Sequence, residues 1–217
     1  MPVLAAAASG VPEYVLLKKE ENIMKITYHG HACFTVESQG YRVVLDPYKD
    51  VRGFKDIDLE AEEVLCSHGH MDHAYTDGVK LKKGETSPFK VSIIDSFHDE
   101  KQGSQRGPNR ITVLEAEGKK IAHLGDLGHL LSEEQAEKLK DMDCVMIPVG
   151  GFFTIDAEKA AETVAKIAPK HIIPMHYKDG KKGLAVVGKV EEFTDRLSEE
   201  DKKKLLLVKG YGETAEI

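Results

Sequence analysis

The stretch Ser67-His68-Gly69-His70-Met71-Asp72-His73 places three imidazoles and one carboxylate within six residues. Neutral imidazole is a strong ligand for zinc and its first-row neighbours, and a carboxylate is the usual oxygen partner. Four donors so close along the chain cannot all grip one ion without straining the backbone. The spacing instead points to two neighbouring ions, His68 and His70 facing one, Asp72 and His73 facing the other. Alone, the run predicts a binuclear metal site.

The residues on either side say how the run is delivered. Val64-Leu65-Cys66-Ser67 reads as a strand whose carboxyl end carries the histidines. Before it, Lys25–Tyr28, Cys33–Glu37 and Arg42–Asp46 are short β-rich runs separated by turns at Gly30 and Gln39-Gly40. After it come Val91–Asp95, Ile111–Glu115 and Lys120–Leu124, the last two joined at Glu117-Gly118. The rhythm then changes. Ser132, with Gln135 three residues on, marks a helix start whose apolar face is Leu131, Ala136 and Leu139. Strand Asp143–Val149, helix Asp156–Ile167, strand His171–Pro174, helix Ala185–Leu197 and strand Leu205–Val208 follow. Strands first and alternating units later predict a sheet sandwich flanked by helices.

Bulk composition sets outer limits. The chain has 217 residues, 41% hydrophobic and 31% charged, which suits one domain or a close pair of half-domains with a sizeable core. A net charge of −7 argues against a general nucleic-acid binder, leaving open only a local basic groove. Cys33, Cys66 and Cys144 form no CxxC pair, and read as buried, reduced thiols of a cytoplasmic protein. No apolar run reaches the length of a membrane span. Residues 1–23 are Ala-rich near the start and lack the basic region of a signal peptide. Met24 opens the first strand, so the folded domain is expected over 24–217, with 1–23 an upstream extension or expression remnant. Within that segment Val11–Leu17 could add an edge strand.

Three further candidate ligands sit just past predicted strands, as the histidine run does. They are His98, Asp126 in Gly125-Asp126, and His176 in Pro174-Met175-His176-Tyr177. Loops at one end of a sheet scaffold can converge on one site. The order His-x-His-x-Asp-His, lone His, Gly-Asp, last His resembles the metallo-β-lactamase-fold hydrolases, with Asp46 in Leu45-Asp46-Pro47 as their early strand-end aspartate. Gly30-His31-Ala32-Cys33-Phe34, His123-Leu124-Gly125-Asp126 and Ile173–Tyr177 look like the compact branch that includes ascorbate-6-phosphate lactonase-like enzymes. The resemblance covers Met24 to about Val208 and implies an α+β, four-layer αβ/βα sandwich with the metal site at one edge of the two sheets.

Carried over residue by residue, the resemblance implies that His68, His70 and His98 bind the first ion, that Asp72, His73 and His176 bind the second, and that Asp126 bridges them. No cysteine aligns with a ligand position, and an all-N/O set is less zinc-exclusive, so Zn2+ comes first with Mn2+ or Fe2+ as alternatives. Two such ions about 3.5–4 Å apart share a water and lower its pKa toward about 7. Asp72 would orient that water, and Tyr177 would donate to the oxyanion or leaving oxygen, or simply pack. Asp46 would hold a ligand histidine or the Asp72 loop by hydrogen bonds.

Around these, the loop 102–109 carries Arg106 and Asn109, which could clamp an anionic substrate group or form a solvated turn. His31 could line the pocket or serve a structural hydrogen bond, His123 reads as a satisfied core histidine behind the ligands, and His129 as pocket rim or surface. His29 and His171 receive no role. The expected activity is metal-dependent hydrolysis of a small molecule, a lactone, ester or phosphorylated metabolite. The rivals are a nuclease of the same fold, whose exosite arm or inserted domain finds no room here, and a non-catalytic metal-binding sensor. A homo-oligomer stays open.

Overall fold

A computed structural model describes residues 23–84, 86–206 and 211–217. The expected edge strand Val11–Leu17 lies outside the described residues. Strands β1 (Lys25–Gly30), β2 (Cys33–Ser38) and β3 (Tyr41–Leu45) form an antiparallel meander. The Gln39-Gly40 turn has positive φ at both residues (51° and 79°), the conformation a two-residue hairpin needs. β4 (Leu59–Ala61) is followed by β5 (Glu63–Leu65), which joins the meander parallel to β3. A 3-10 turn at Thr76–Gly78 leads to β6 (Val79–Leu81), the parallel partner of β4.

The second sheet holds β7 (Lys90–Phe97), β8 (Pro108–Ala116), β9 (Lys119–His123), β10 (Cys144–Pro148) and β11 (His171–Met175). Its order is β11-β10-β9-β8-β7, parallel across the first three and antiparallel across the last three. Helices α1 (Glu133–Lys138), α2 (Ala157–Ile167), α3 (Val190–Thr194) and α4 (Glu199–Lys202) intervene, and β12 (Thr214–Glu216) closes the first sheet beside β1. α1 starts at a capping box between Ser132 and Gln135, and α2 at an Asp156 cap on the Lys159 amide.

The two sheets pack face to face. Met24, Ile26, Phe34, Val36 and Leu45 meet Leu114, Ile121, Met146, Ile173 and Met175 in one buried cluster. The other face of the second sheet is covered by helices, Val145 and Ile147 packing with Ala160, Val164, Ile167 and Phe193. β10 is therefore buried on both faces, which is why it reads as an unbroken apolar run. Among the described residues the outer face of the first sheet carries no helix; Cys33 and Val44 are covered by Tyr48, Val51, Ile57 and the β4–β6 pair. The α+β sandwich is as expected, with short strands and loops making its fourth layer.

Two expectations need correction. Of the helix expected over Ala185–Leu197 only Val190–Thr194 forms, because the Gly188 amide bonds to the Gly150 carbonyl and its own carbonyl takes the Lys178 amide. Those tertiary bonds use the groups a first helical turn would need. Of the last expected strand, Leu205 makes one parallel bridge to Ile172, while Leu207 and Val208 lie outside the described residues. The strands at Leu59–Ala61, Val79–Leu81 and Thr214–Glu216 were not foreseen; three residues are too few to show alternation.

Phe34 is fully buried, stacked on Tyr28 (4.9 Å between centroids) and edge-on to His123 (5.8 Å). Phe34→Ala should cost about 3–5 kcal/mol in guanidinium unfolding. A loss under about 1 kcal/mol would contradict the packing described.

Candidate metal centre

The expected site residues come from the carboxyl ends of five strands and one hairpin. Asp46 follows β3, the histidine run follows β5, His98 follows β7, Asp126 follows β9 and His176 follows β11, while His31 sits in the β1–β2 turn. His31, Asp46 and His176 have positive φ (54°, 46° and 55°), a conformation uncommon for non-glycine residues and concentrated at functional sites. The His176 amide donates to the His31 carbonyl at 2.8 Å, locking two of these turns together.

Asp126 stands at the centre. Its Oδ2 lies 2.7 Å from His98 Nε2, 3.3 Å from His73 Nε2, 3.4 Å from His176 Nε2 and 4.0 Å from His68 Nε2. On one side the donor atoms of His68, His70 and His98 lie within 4.8 Å of one another; on the other, so do those of His31, Asp72, His73 and His176. The structure thus brings together the seven residues expected as ligands, with His31 beside them, its Nε2 3.3 Å from Asp72 Oδ2. His31 was expected in the neighbourhood; its place among the donors of one half-site was not.

Hydrogen bonds behind the cluster fix which nitrogens face inward. The Asp46 carboxylate accepts from the Ser67 amide (2.7 Å), the Ser67 hydroxyl (2.6 Å) and His73 Nδ1 (2.8 Å). Since the Ser67 hydroxyl gives its one hydrogen to Asp46, His68 Nδ1 at 2.9 Å must donate to Ser67 Oγ. That leaves Nε2 of His68 as the free lone pair, and on His73 it turns Nε2 toward Asp126. One carboxylate and one hydroxyl so orient a histidine in each half-site, a role the sequence reading gave to Asp46 and missed for Ser67.

The Asp126 turn is strapped twice. Its amide donates to Asn109 Oδ1 at 2.9 Å, while Asn109 Nδ2 donates to Ser96 Oγ and the Leu124 carbonyl. His123 donates from Nε2 to the Ala32 carbonyl and accepts the Gly125 amide at Nδ1. Gly125 has φ +55°, and a Cβ there would lie 2.4 Å from Asn109 Oδ1 and 2.5 Å from the Ser67 Cβ. Only glycine fits.

Burial pushes the His68 imidazole down to about 4 and that of His176 to about 3, so both stand neutral near pH 7, as ligands must. Burial also disfavours charge on His73, but the Asp126 and Asp46 carboxylates outweigh it and raise its pKa. Burial would lift Asp126; the surrounding histidines, His176 and His73 foremost, hold it well below the usual carboxylate range instead. The donor set fits a metal by a direct observation: Nε2 of His68, His73 and His176 and Oδ1 of Asp126 are buried without a hydrogen-bond partner among the described residues. Such groups are costly unless something else satisfies them.

A cavity of about 330 Å³ opens over the cluster, lined by His70, Asp72, His98, Asp126, Gln105, Arg106, Phe153 and Leu184. Arg106 lies on this wall with its guanidinium 5.6 Å from the Phe153 ring centroid. Its loop is built rather than slack: the Asp99 carboxylate accepts four backbone amides, from Lys101, Gly103, Gln105 and Arg106. An aspartate followed by a Gly-rich stretch was the available signal for that anchor.

Three sequence expectations are corrected by placement. Asn109 is buried and spends its amide on the Asp126 turn, so it does not face substrate. Tyr177 lines a separate cavity with Tyr28, Phe54 and Tyr211, its hydroxyl paired with that of Tyr28, and is not on the wall over the cluster. His129 accepts the Phe97 amide and bonds the Leu130 carbonyl, a structural role at the edge of the loop.

The comparisons give the family. The profile of the beta-lactamase superfamily domain matches residues 25–176. A UPF0173 metal-dependent hydrolase of Desulforamulus reducens is 29% identical over 194 residues, 71% of this chain and 84% of the relative. A UPF0173 protein of Pyrococcus furiosus is 30% identical, over 71% of this chain and 83% of its own length. A crystal structure from Thermotoga maritima, ascribed to the metallo-β-lactamase superfamily, superposes with a TM-score of 0.62 at 32% identity. It covers 79% of this chain and 84% of that one. With the sandwich and these relatives in agreement, the chain belongs to the metallo-β-lactamase superfamily and, within it, to the UPF0173 metal-dependent hydrolases.

Proposed function

We propose that the chain is a binuclear hydrolase acting on a small molecule, such as a lactone, an ester or a phosphorylated metabolite. The observation that supports this best is Asp126 Oδ2 set between two groups of histidine donors. His68, His70 and His98 would hold one cation and Asp72, His73 and His176 the other, with His31 beside the second group and Asp126 shared. Zinc is the first choice, and manganese or iron also suit a donor set of nitrogen and oxygen alone. Two divalent ions bound here would lower the pKa of a water between them to about 7 and polarise the bond under attack.

The chain's own groups do the rest. Asp72, its side chain 31% exposed, reaches the cavity wall and can accept a hydrogen bond from the attacking water, orienting it. The His31 contact lowers the Asp72 pKa against the opposing effect of burial, so Asp72 stays ionised for that role. Asp46 and Ser67 keep the ligand rings in place, and Asn109 and His123 keep Asp126 in place. Phe153 and Leu184 give the cavity an apolar side that excludes water from part of the substrate. No helix among the described residues is long and apolar enough to cross a membrane. The cysteines Cys33, Cys66 and Cys144 are free, which suits the reducing cytoplasm in which we place the protein.

A panel of lactones, phosphodiesters and thioesters, run with and without chelator, tests the reading: turnover should appear only in the metal-loaded protein. Asp72→Ala should lower kcat by at least about 100-fold while losing metal only in part; unchanged turnover would sink the role given to Asp72. Asp46→Asn should weaken metal binding about 10–100-fold in chelator competition, because the rings of His68 and His73 lose their common anchor. Equal affinity in that variant would contradict the orientation argument.

A further inference from the structure

Beyond the cavity over the cluster, a larger cleft of about 800 Å³ continues past His68 and His70. His70 and Arg106 line both cavities, so the two adjoin. Cys66, Ala74, Phe97 and Pro108 give the cleft an apolar lining, and Arg110 stands on its wall with Asp95. Arg110 is fixed close to the site, since its backbone amide donates to the Ser67 carbonyl at 3.0 Å.

Some surface lysines, Lys138, Lys166 and Lys170 among them, pair with carboxylates (Glu134, Glu133 and Asp143). Among the described residues neither Arg106 nor Arg110 has such a carboxylate partner. Asp95 is the cross-strand neighbour of Arg110 in the β7–β8 register, yet the two form no ion pair. Two unpaired guanidiniums on one cleft wall, in a chain of net charge −7, are a standing field for an anion. Each keeps its planar fork of donors, which matches a carboxylate or phosphate.

From this we infer a subsite for an anion: the substrate is elongated, with its reacting bond over the histidine cluster, an apolar stretch along Phe97 and Pro108, and a carboxylate or phosphate held by Arg106 and Arg110. The inference rests on the hydrolase reading for the word substrate, but the subsite can be tested apart from it.

Phenylphosphonate and phenylacetate, titrated calorimetrically into the metal-loaded protein, are the probes. Affinity should drop at least tenfold in Arg106→Gln and in Arg110→Gln, with partial recovery in Arg110→Lys, and should fall with added salt. Tighter phosphonate binding would mark phosphorylated substrates, tighter phenylacetate binding carboxylated ones. Anion affinity equal to the parent's in both glutamine variants overturns the subsite. In a second arm, mono-4-nitrophenyl glutarate is compared with neutral 4-nitrophenyl propionate. The ratio of their kcat/KM values should fall about tenfold in Arg110→Gln, and an unchanged ratio would also overturn it. Protein that loses anion affinity in the variants yet hydrolyses neither ester would retain the subsite and overturn only the ester among the proposed substrates.

Discussion

The Asp126 carboxylate is buried among imidazoles, and that placement constrains everything around it. A carboxylate out of water is costly unless its charge is matched and its lone pairs are used. Four histidine nitrogens approach one of its oxygens within 4.0 Å, and its other oxygen is buried without a partner among the described residues. Cations on either side would answer both demands at once. Without that compensation the same cluster would be a concentration of desolvated polar groups, hard to reconcile with the ordered apolar packing beneath it.

The sandwich serves this arrangement by ending its strands together. Parallel pairing of β9, β10 and β11 brings the turns of Asp126 and His176 to the same rim, and parallel pairing of β3 with β5 does so for Asp46 and the histidine run. Backbone conformations unfavourable for side-chain-bearing residues appear at His31, Asp46 and His176, where hydrogen bonds from neighbouring turns hold them. The rigid sheets supply the stability that such strain uses. Function follows at the rim, where Arg106, Phe153 and Leu184 shape the space over the cluster.

Much of this was legible in the sequence because its signals are local. The histidine run, the Gly-Asp after a strand and the capping box at Ser132 each declare themselves within six residues, and β10 declares itself by an apolar run. What stayed hidden depends on contacts between distant segments. Asn109 looked like a loop amide free to meet substrate; pairing of β8 with its neighbours turned it inward, under Asp126. Tyr177 adjoins His176 in the chain, but the positive φ of His176 redirects the backbone, and Tyr177 meets Tyr28 rather than the cluster. His31 carried too little sequence context to be placed among the Asp72 donors, since bonds from the distant His176 amide and the Tyr28 hydroxyl to its carbonyl hold it there. Helical periodicity before Val190 was overruled by two backbone bonds at Gly188.

The central claim is that Asp126 divides two metal half-sites with distinct ligands. Anomalous diffraction at the zinc edge, from crystals of the zinc-loaded protein, tests it most directly. The account predicts two peaks flanking the Asp126 carboxylate, one among His68, His70 and His98, the other among Asp72, His73 and His176. A single peak, or peaks away from Asp126, would contradict it.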